Sequence, residues 1–279
     1  MKILIVGSTS IIGNAFKFKL GHEYDIKTAG RNGPFDYYMD LHEFSLKKYF
    51  PDDIGKVDLI LHCAASFSND LLENESINSL GSLYVALLAQ HIQCQKVIYL
   101  SSTSTFNVEE NENFSSYGLS KKHGEENMAW VCKNNDISFT SIAISQVYDD
   151  FGFARKHQPF LYNLIDSARK GEDFFIWGSK DPYRNYLHLN DLIESIRKII
   201  ESGISGYYPC TYPQSYKISQ IASMVYDVFD NGGNIRFLFE KPAIPSVYIP
   251  DSRILYEKIG FSPIIDLKEG VERIKCRMK

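Results

Sequence analysis

Short runs of unbroken apolar, largely β-branched residues recur through the first half of this chain, each followed by a stretch of helical character. Lys2 to Val6, Val57 to Cys63, Lys96 to Leu100 and Ile137 to Ile144 are such runs, and Tyr24 to Ala29 is a further strand between the first two. A strand that is apolar on both faces has to be covered on both, which is the condition of a parallel sheet between two helix layers. Asn14 to Leu20, a long segment from about Leu71 to Gln93, and another reaching about Lys133 supply the covers. The pattern predicts an α/β fold built on a doubly wound parallel sheet. With 279 residues the chain is near the upper size for one domain. We therefore expect a nucleotide-binding domain over 1–150 and a smaller substrate lobe over 151–279, with elements that can return to the sheet. In the second half Pro159 to Lys170 reads as a helix, Phe174 to Ser179 as a strand and turn, Asp191 to Ile200 as an amphipathic helix with a capping acid, and Phe261 to Lys279 as a closing helical segment.

The turn after the first strand is where such a sheet places a ligand. Gly7, Ser8, Thr9, Ser10, Ile11, Ile12 and Gly13 lead from strand to helix, so free N–H groups and the positive end of a helix dipole meet there. That is a seat for a pyrophosphate. Gly7 suits the tight turn and Gly13 the close packing of helix on strand, while Ser10 stands where a middle glycine is usual. A carboxylate would normally end the second strand to hold a ribose, but this chain offers Gly30, Arg31 and Asn32. A guanidinium there can pair with a 2′-phosphate, which favours NADP over NAD as cofactor. Asp40 and Leu41, ahead of a short helix, are placed to flank the adenine, and Ala64 and Ala65 let the cofactor lie across the sheet edge.

Ser101 and Ser102 end the fourth main run, and Tyr117 and Lys121 follow at i and i+4 on the next helix. That spacing puts a phenol and an ammonium on one helix face. A nearby positive charge favours the phenolate, so the pair is a candidate general acid/base.

The order of these segments resembles the extended short-chain dehydrogenase/reductase family. It rests on Gly7 to Gly13, His62 to Ala65, Asn78, Ser101 to Phe106, Tyr117 to Lys121, and Arg184 to Asp191. The family has a Rossmann-type core and contains nucleotide-sugar epimerases, dehydratases and keto-sugar reductases. The resemblance implies that Ser102 binds the substrate oxygen, Tyr117 is the acid/base, Lys121 tunes Tyr117 and holds the nicotinamide ribose, and Asn78 fills the family's asparagine position. It implies a nucleotide-sugar substrate held in part by Thr103 and Arg184, and a homodimer paired through the helices bearing Asn78 and Tyr117. Dehydratases of the family carry an Asp-Glu pair where this chain has Thr103 and Ser104, so reduction or epimerisation is the better expectation, with Glu109, Glu110 and Glu112 as the acids in reach. The segment from Trp177 to His188 is close to GDP-fucose synthase, whose active-site cysteine is replaced by Thr103. The arginine-proline that usually follows the sixth strand is missing from 142–146. Arg155 and Arg253 are lesser phosphate candidates, and His188 reads as structural. Other readings are a non-catalytic nucleotide sensor, although such members usually lose the Tyr or Lys kept here, and a reductase of a small carbonyl compound.

Charge and composition narrow the partners. A net charge of −4 with no long basic run argues against nucleic acid or an anionic membrane as partner. No apolar run approaches the ~18 residues of a membrane span, and Met1 to Val6 enters a strand without a signal-peptide pattern. Five cysteines without a C-x-x-C spacing fit reduced thiols in a cytoplasm, and no metal-ligand cluster is evident.

Overall fold

The computed structural model describes residues 1–43, 50, 51 and 53–278, which fall into two compact units. The first takes Met1–Asn107, Phe114–Ala143 and Gly203–Pro209. Its strands are β1 (Lys2–Val6), β2 (Asp25–Gly30), β3 (Tyr37–Tyr38), β4 (Leu59–His62), β5 (Lys96–Ser102), β6 (Ser138–Ile144) and, from the far end of the chain, β11 (Gly206–Cys210). They form one seven-stranded sheet in the order β11-β6-β5-β4-β1-β2-β3. The ladders of β1 with β2 and β4, of β2 with β3, and of β4 with β5 are all parallel. The order reverses at β1 and β4, so the carboxyl ends of these two strands flank the crevice in which a doubly wound sheet takes its ligand. Ile3, Leu4 and Ile5 are fully buried, each stabilising the fold by roughly 1.5–3 kcal/mol.

Helix α1 (Ile11–Leu20) follows β1, capped by Ser10. The expected long helix is composite: α2 (Leu71–Asn74), a π-helical turn over Glu75–Leu80, and α3 (Gly81–His91). Helix α4 (Ser116–Asn134) packs along it. Gly124 sets that approach, since a Cβ there would lie 2.1 Å from the Asn78 carbonyl oxygen. The short helix expected after Leu41 starts at 41–43 and otherwise lies outside the described residues.

The second unit takes Val108–Asn113, Ile144–Ser202 and Cys210–Lys279. It holds α5 (Pro159–Lys170), α6 (Leu189–Ser202), α7 (Ile218–Phe229), α8 (Arg253–Ile259) and α9 (Leu267–Arg277). Three two-stranded pairs complete it. β7 (Gln146–Tyr148) runs parallel to β10 (Tyr186–His188), β8 (Phe174–Trp177) parallel to β13 (Ile235–Leu238), and β9 (Tyr183–Arg184) antiparallel to β12 (Tyr216–Lys217). The acid expected to cap α6 does something else. Asp191 is the third residue of that helix, past the capping position, and its buried carboxylate accepts the N–H groups of Ile264 and Ile265 at 3.1 and 2.8 Å. His188 takes the capping role, with Nδ1 accepting from Asn190 N–H at 3.1 Å.

Candidate active site

The turn after β1 is built by close approach. Gly7 has φ +87°, and a Cβ on it would come within 2.4 Å of the Ala64 nitrogen; one on Gly13 would meet the Gly7 carbonyl at 2.8 Å. The loop therefore lies close against the segment that follows β4. Ser10 Oγ accepts the Gly13 N–H at 3.0 Å, so the hydroxyl at the middle-glycine position caps α1. As the first residues of a helix, Ile11 and Ile12 have N–H groups with no intrahelical partner. The buried hydroxyl of Ser8 has no partner either, and it faces Gly30, whose Cβ would lie 3.3 Å from it. A cradle of unsatisfied donors at a helix N-terminus fits a dinucleotide pyrophosphate.

Just past the end of β2, the Arg31 side chain is 57% exposed and its guanidinium lies 3.8 Å from the Asp40 carboxylate. Asp40 also accepts the His42 N–H at 3.0 Å. Leu41, expected to flank the adenine, has its side chain buried in the core against the Gly81 position, because the chain turns into a helix there. Cys63 links this cradle to the next cluster, its buried thiol bonded to Ser10 and within the field of Lys121.

Ser102 ends β5 and caps a short 3-10 turn, Thr103–Thr105, by accepting the Ser104 N–H at 3.1 Å. Helix α4 begins directly above this turn because Gly118 permits it: a Cβ there would sit 2.1 Å from the Ser104 carbonyl oxygen. Tyr117, one residue earlier, thereby brings its phenol to the Ser102 hydroxyl. On its other side the Tyr117 ring stacks on Phe67, centroids 4.2 Å apart, a contact that no spacing in the sequence announced. Lys121 is 1% exposed, with Nζ 3.9 Å from the centroid of the Tyr99 ring.

The electrostatics differ from the expectation drawn from the i, i+4 pair. Burial raises the Tyr117 phenol well above its usual value, the Ser102 hydrogen bond only partly opposing it. Burial also pulls the Lys121 ammonium down to about 7, against the pull of Glu125. Desolvation outweighs the attraction of the two groups, since Lys121 turns onto Tyr99 in the interior and Tyr117 is half-buried. Tyr117 is thus held as a phenol.

Asn78 sits in the π-helical turn with its amide fully engaged. Oδ1 accepts the Ser66 N–H at 2.7 Å, while Nδ2 donates to the Ser66 carbonyl at 2.9 Å and to Ser120 Oγ at 3.0 Å. It ties the loop after β4 to the turn of α4 between Tyr117 and Lys121. A π-turn frequently marks a functional segment, and here it aims Asn78 inward.

Residues 3–212 match the model of the NAD dependent epimerase/dehydratase family, well over half the chain. The chain belongs to that family. It is 23% identical over 98% of its length to UDP-glucuronic acid decarboxylase 1 of Xenopus tropicalis, covering 70% of that protein. Among solved structures, it overlays on UDP-glucose 4-epimerase of Thermotoga maritima, determined with UDP-glucose, with a TM-score of 0.79 at 17% identity, the whole of each chain being covered. The NAD complex of UDP-glucose 4-epimerase from Thermus thermophilus gives a TM-score of 0.79 at 15% identity, over 98% of this chain and 97% of that one. These likenesses establish the fold of an epimerase/dehydratase family member.

The remaining candidates of this family member lie in its second unit. Arg184 is buried, donating to the Tyr183 and Pro245 carbonyls at 2.8 Å each. No acid pairs with it among the described residues, and burial lowers its pKa. Arg155 and Arg253 differ, each being paired with an acid, Asp166 and Asp251 respectively. Glu112 is tied to Lys180 at 2.5 Å and to the Ser246 N–H at 2.9 Å. His188 Nε2 donates to Asp150 at 2.8 Å in a buried pair, which suits a structural residue. Among the described residues no His, Cys, Asp and Glu cluster could hold a metal ion, and no helix is long and apolar enough to cross a membrane.

Proposed function

We propose that the chain is an NAD(P)-dependent enzyme acting on a nucleotide-linked sugar, by keto reduction or by epimerisation through a transient ketone. The observation that carries this reading is the Tyr117 phenol brought to the Ser102 hydroxyl, with Lys121 one helix turn on and close to Cys63 of the glycine cradle, in a chain of this family. Ile11, Ile12, Ser8 and Ser10 would hold the pyrophosphate, and Ala64 and Ala65 would line the crevice. When bound, the nicotinamide supplies a hydride donor or acceptor. Ser102 orients the reacting oxygen by donating a hydrogen bond. Tyr117 gives that oxygen its proton in the reductive direction and takes it back in the oxidative one. Lys121 favours the phenolate whenever the proton has left. Thr103 and Ser104 offer no acid for water elimination, which speaks against a dehydratase. The likeness to a decarboxylase favours trying UDP-glucuronic acid beside UDP-glucose as substrate.

NADP is the preferred cofactor in this reading, because β2 ends without a carboxylate and Arg31 is exposed there. Its contact with Asp40 is an exposed pair worth at most about 1 kcal/mol, which a doubly charged phosphate can displace. A homodimer belongs to the same reading: Leu72 and Trp130, 77% and 68% exposed, leave an apolar face on α2 and α4 that a second copy would cover. Four buried cysteines and one exposed, all free, suit a reducing cytoplasm.

Arg184 is the candidate for the sugar diphosphate, a desolvated guanidinium with only carbonyl partners. UDP at about 100 times its Kd adds about 2.7 kcal/mol, a rise in Tm of roughly 5–10 °C. We expect this rise in thermal unfolding and its loss in Arg184→Ala. No protection by any nucleoside diphosphate would favour a small carbonyl substrate instead.

A further inference from the structure

Asn78 shares its hold on the loop after β4 with a second amide. Asn74, the last residue of α2, stands four residues earlier and is likewise fully buried. It repeats the Asn78 pattern two residues further along the loop. Oδ1 accepts the Ser68 N–H at 3.0 Å, while Nδ2 donates to the Ser68 carbonyl at 2.7 Å and to Ser116 Oγ at 3.2 Å. Asn78 makes the same three bonds to Ser66 and Ser120. Residues 66–68 belong to neither helix nor strand, so their backbone groups have no ladder to join. A carboxamide presents an acceptor and a donor side by side, as a peptide group does, and the two side chains stand in for the missing strand.

The residues so pinned are the neighbours of two stacked rings. Phe67 lies between Ser66 and Ser68, and its ring is the one that stacks on Tyr117, centroids 4.2 Å apart with 20° between the planes. Ser116 and Ser120, which receive the two amides on α4, flank Tyr117, and Ser120 Oγ in turn donates to the Tyr117 carbonyl at 3.0 Å. Phe67 is 58% exposed. A side chain that open to water is not fixed by the core, so the backbone of its loop decides where the ring goes.

We propose that Asn74 is a positioning residue for Tyr117: with Asn78 it fixes the Phe67 ring as a backstop that keeps the phenol aimed at Ser102. The inference rests on the reading of Tyr117 as the acid/base. Joining α2 and the π-turn to α4 is a task that other contacts perform. His123 Nδ1 meets the Glu75 carboxylate at 2.9 Å, Asn127 donates to Ser79 Oγ at 3.2 Å, and Gly124 admits the Asn78 carbonyl. Among the described residues, Asn74 alone bonds both the N–H and the carbonyl of Ser68. Without it the loop is held at its Ser66 end only, and the Phe67 ring is free to swing off Tyr117. A misplacement of about 1 Å at a reacting group can cost about a hundredfold in rate.

The direct test is NMR of the chain labelled with ring-13C tyrosine, the Tyr117 signals being assigned by their disappearance in Tyr117→Phe. A ring stacked face to face moves its neighbour's proton signals upfield, and Phe67→Leu gives their unstacked position. In Asn74→Ala the Tyr117 signals are expected to move towards that position, and in Asn127→Ala, which cuts a tie between the same helices away from the loop, to stay where they are. Turnover of Asn74→Ala is expected to fall about tenfold or more through kcat, with KM and NADPH affinity near wild type. Should Asn74→Ala not fold, Asn74→Asp, which keeps the size and the acceptor but loses both donated bonds, is read in the same way. Unmoved Tyr117 signals overturn the proposal. So does an equal movement in Asn127→Ala, which would make helix pairing the cause, and so does failure of both Asn74 variants to fold. Moved signals with undiminished turnover, where Tyr117→Phe is inactive, overturn it as well. The NMR needs neither substrate nor cofactor, so it stands apart from the functional reading. Normal turnover in Tyr117→Phe would remove that reading, while the signals would still report whether Asn74 holds the ring.

Discussion

Tyr117→Phe is expected to lower turnover of a nucleotide-sugar substrate by roughly a hundred- to ten-thousand-fold, the range in which a positioned acid/base contributes. The substitution removes a single oxygen. The ring keeps its stack on Phe67, and Gly118 still holds the start of α4 against Ser104, so the fold and the cradle around Gly7 stay as they are. What disappears is the proton at the substrate oxygen and the partner of the Ser102 hydroxyl. Dinucleotide binding is therefore expected to remain close to wild type. Steady-state rates with UDP-glucose and UDP-glucuronic acid, set against a dinucleotide titration of the same preparation, separate the two effects. Turnover near the wild-type rate would refute the assignment of Tyr117. Because burial holds the phenol protonated at neutral pH, the reductive direction is expected to run without first charging the tyrosine.

Gly7→Ala is expected to cost about 2–5 kcal/mol of stability, by adding backbone strain at positive φ to overpacking. At φ +87° an L side chain is strained, and the new Cβ would also press within 2.4–2.8 Å of the Ala64 nitrogen, Cα and Cβ. Backbone on one side and the end of β4 on the other leave nothing that can yield cheaply. Relief would require the turn to lift off the sheet, spreading the N–H groups that form the cradle, so dinucleotide affinity should fall with stability. Gly203 is the control. It has a similar positive φ, +67°, with nothing within 4 Å of the added Cβ, so Gly203→Ala should cost only the strain, about 1–2 kcal/mol. Denaturant unfolding of the two variants measures the difference. Equal losses would mean that the approach of Gly7 to Ala64 does not matter to the fold.

The parallel core was legible because a strand buried on both faces leaves an unbroken apolar run, and Lys2 to Val6 is one. Helix α4 was legible nearly to its ends, from the residues around Tyr117 to Lys133. Elements that no pattern marks were not. β3 is two residues long, too short for any period to show. The π-turn at Glu75–Leu80 reads as ordinary helix until backbone hydrogen bonds are seen, yet it orients Asn78. Partners far apart in sequence were equally hidden, as when Asp191 binds the N–H groups of Ile264 and Ile265. In the site, residue types and spacing pointed to Ser102, Tyr117 and Lys121 but carried no information on burial. Spacing alone suggested an ammonium lowering a phenol, whereas desolvation dominates both groups. The roles of Gly118 and Gly124 also appear only when the opposing carbonyls of Ser104 and Asn78 are in place.

The proposed function requires the cradle from Gly7 to Gly13 to hold a nicotinamide dinucleotide with its adenine end near Arg31. Titration of the purified chain with NADPH and with NADH, followed by the fluorescence of the reduced nicotinamide, tests it most directly. Saturable binding is expected for both, tighter for NADPH, with the preference lost in Arg31→Ala by removal of the charge-assisted contact to the 2′-phosphate. Saturable binding without a preference would keep the cradle and return Arg31 to its pairing with Asp40. Absence of saturable binding by either nucleotide, in a chain that is folded and has released any dinucleotide it carried, would contradict the account.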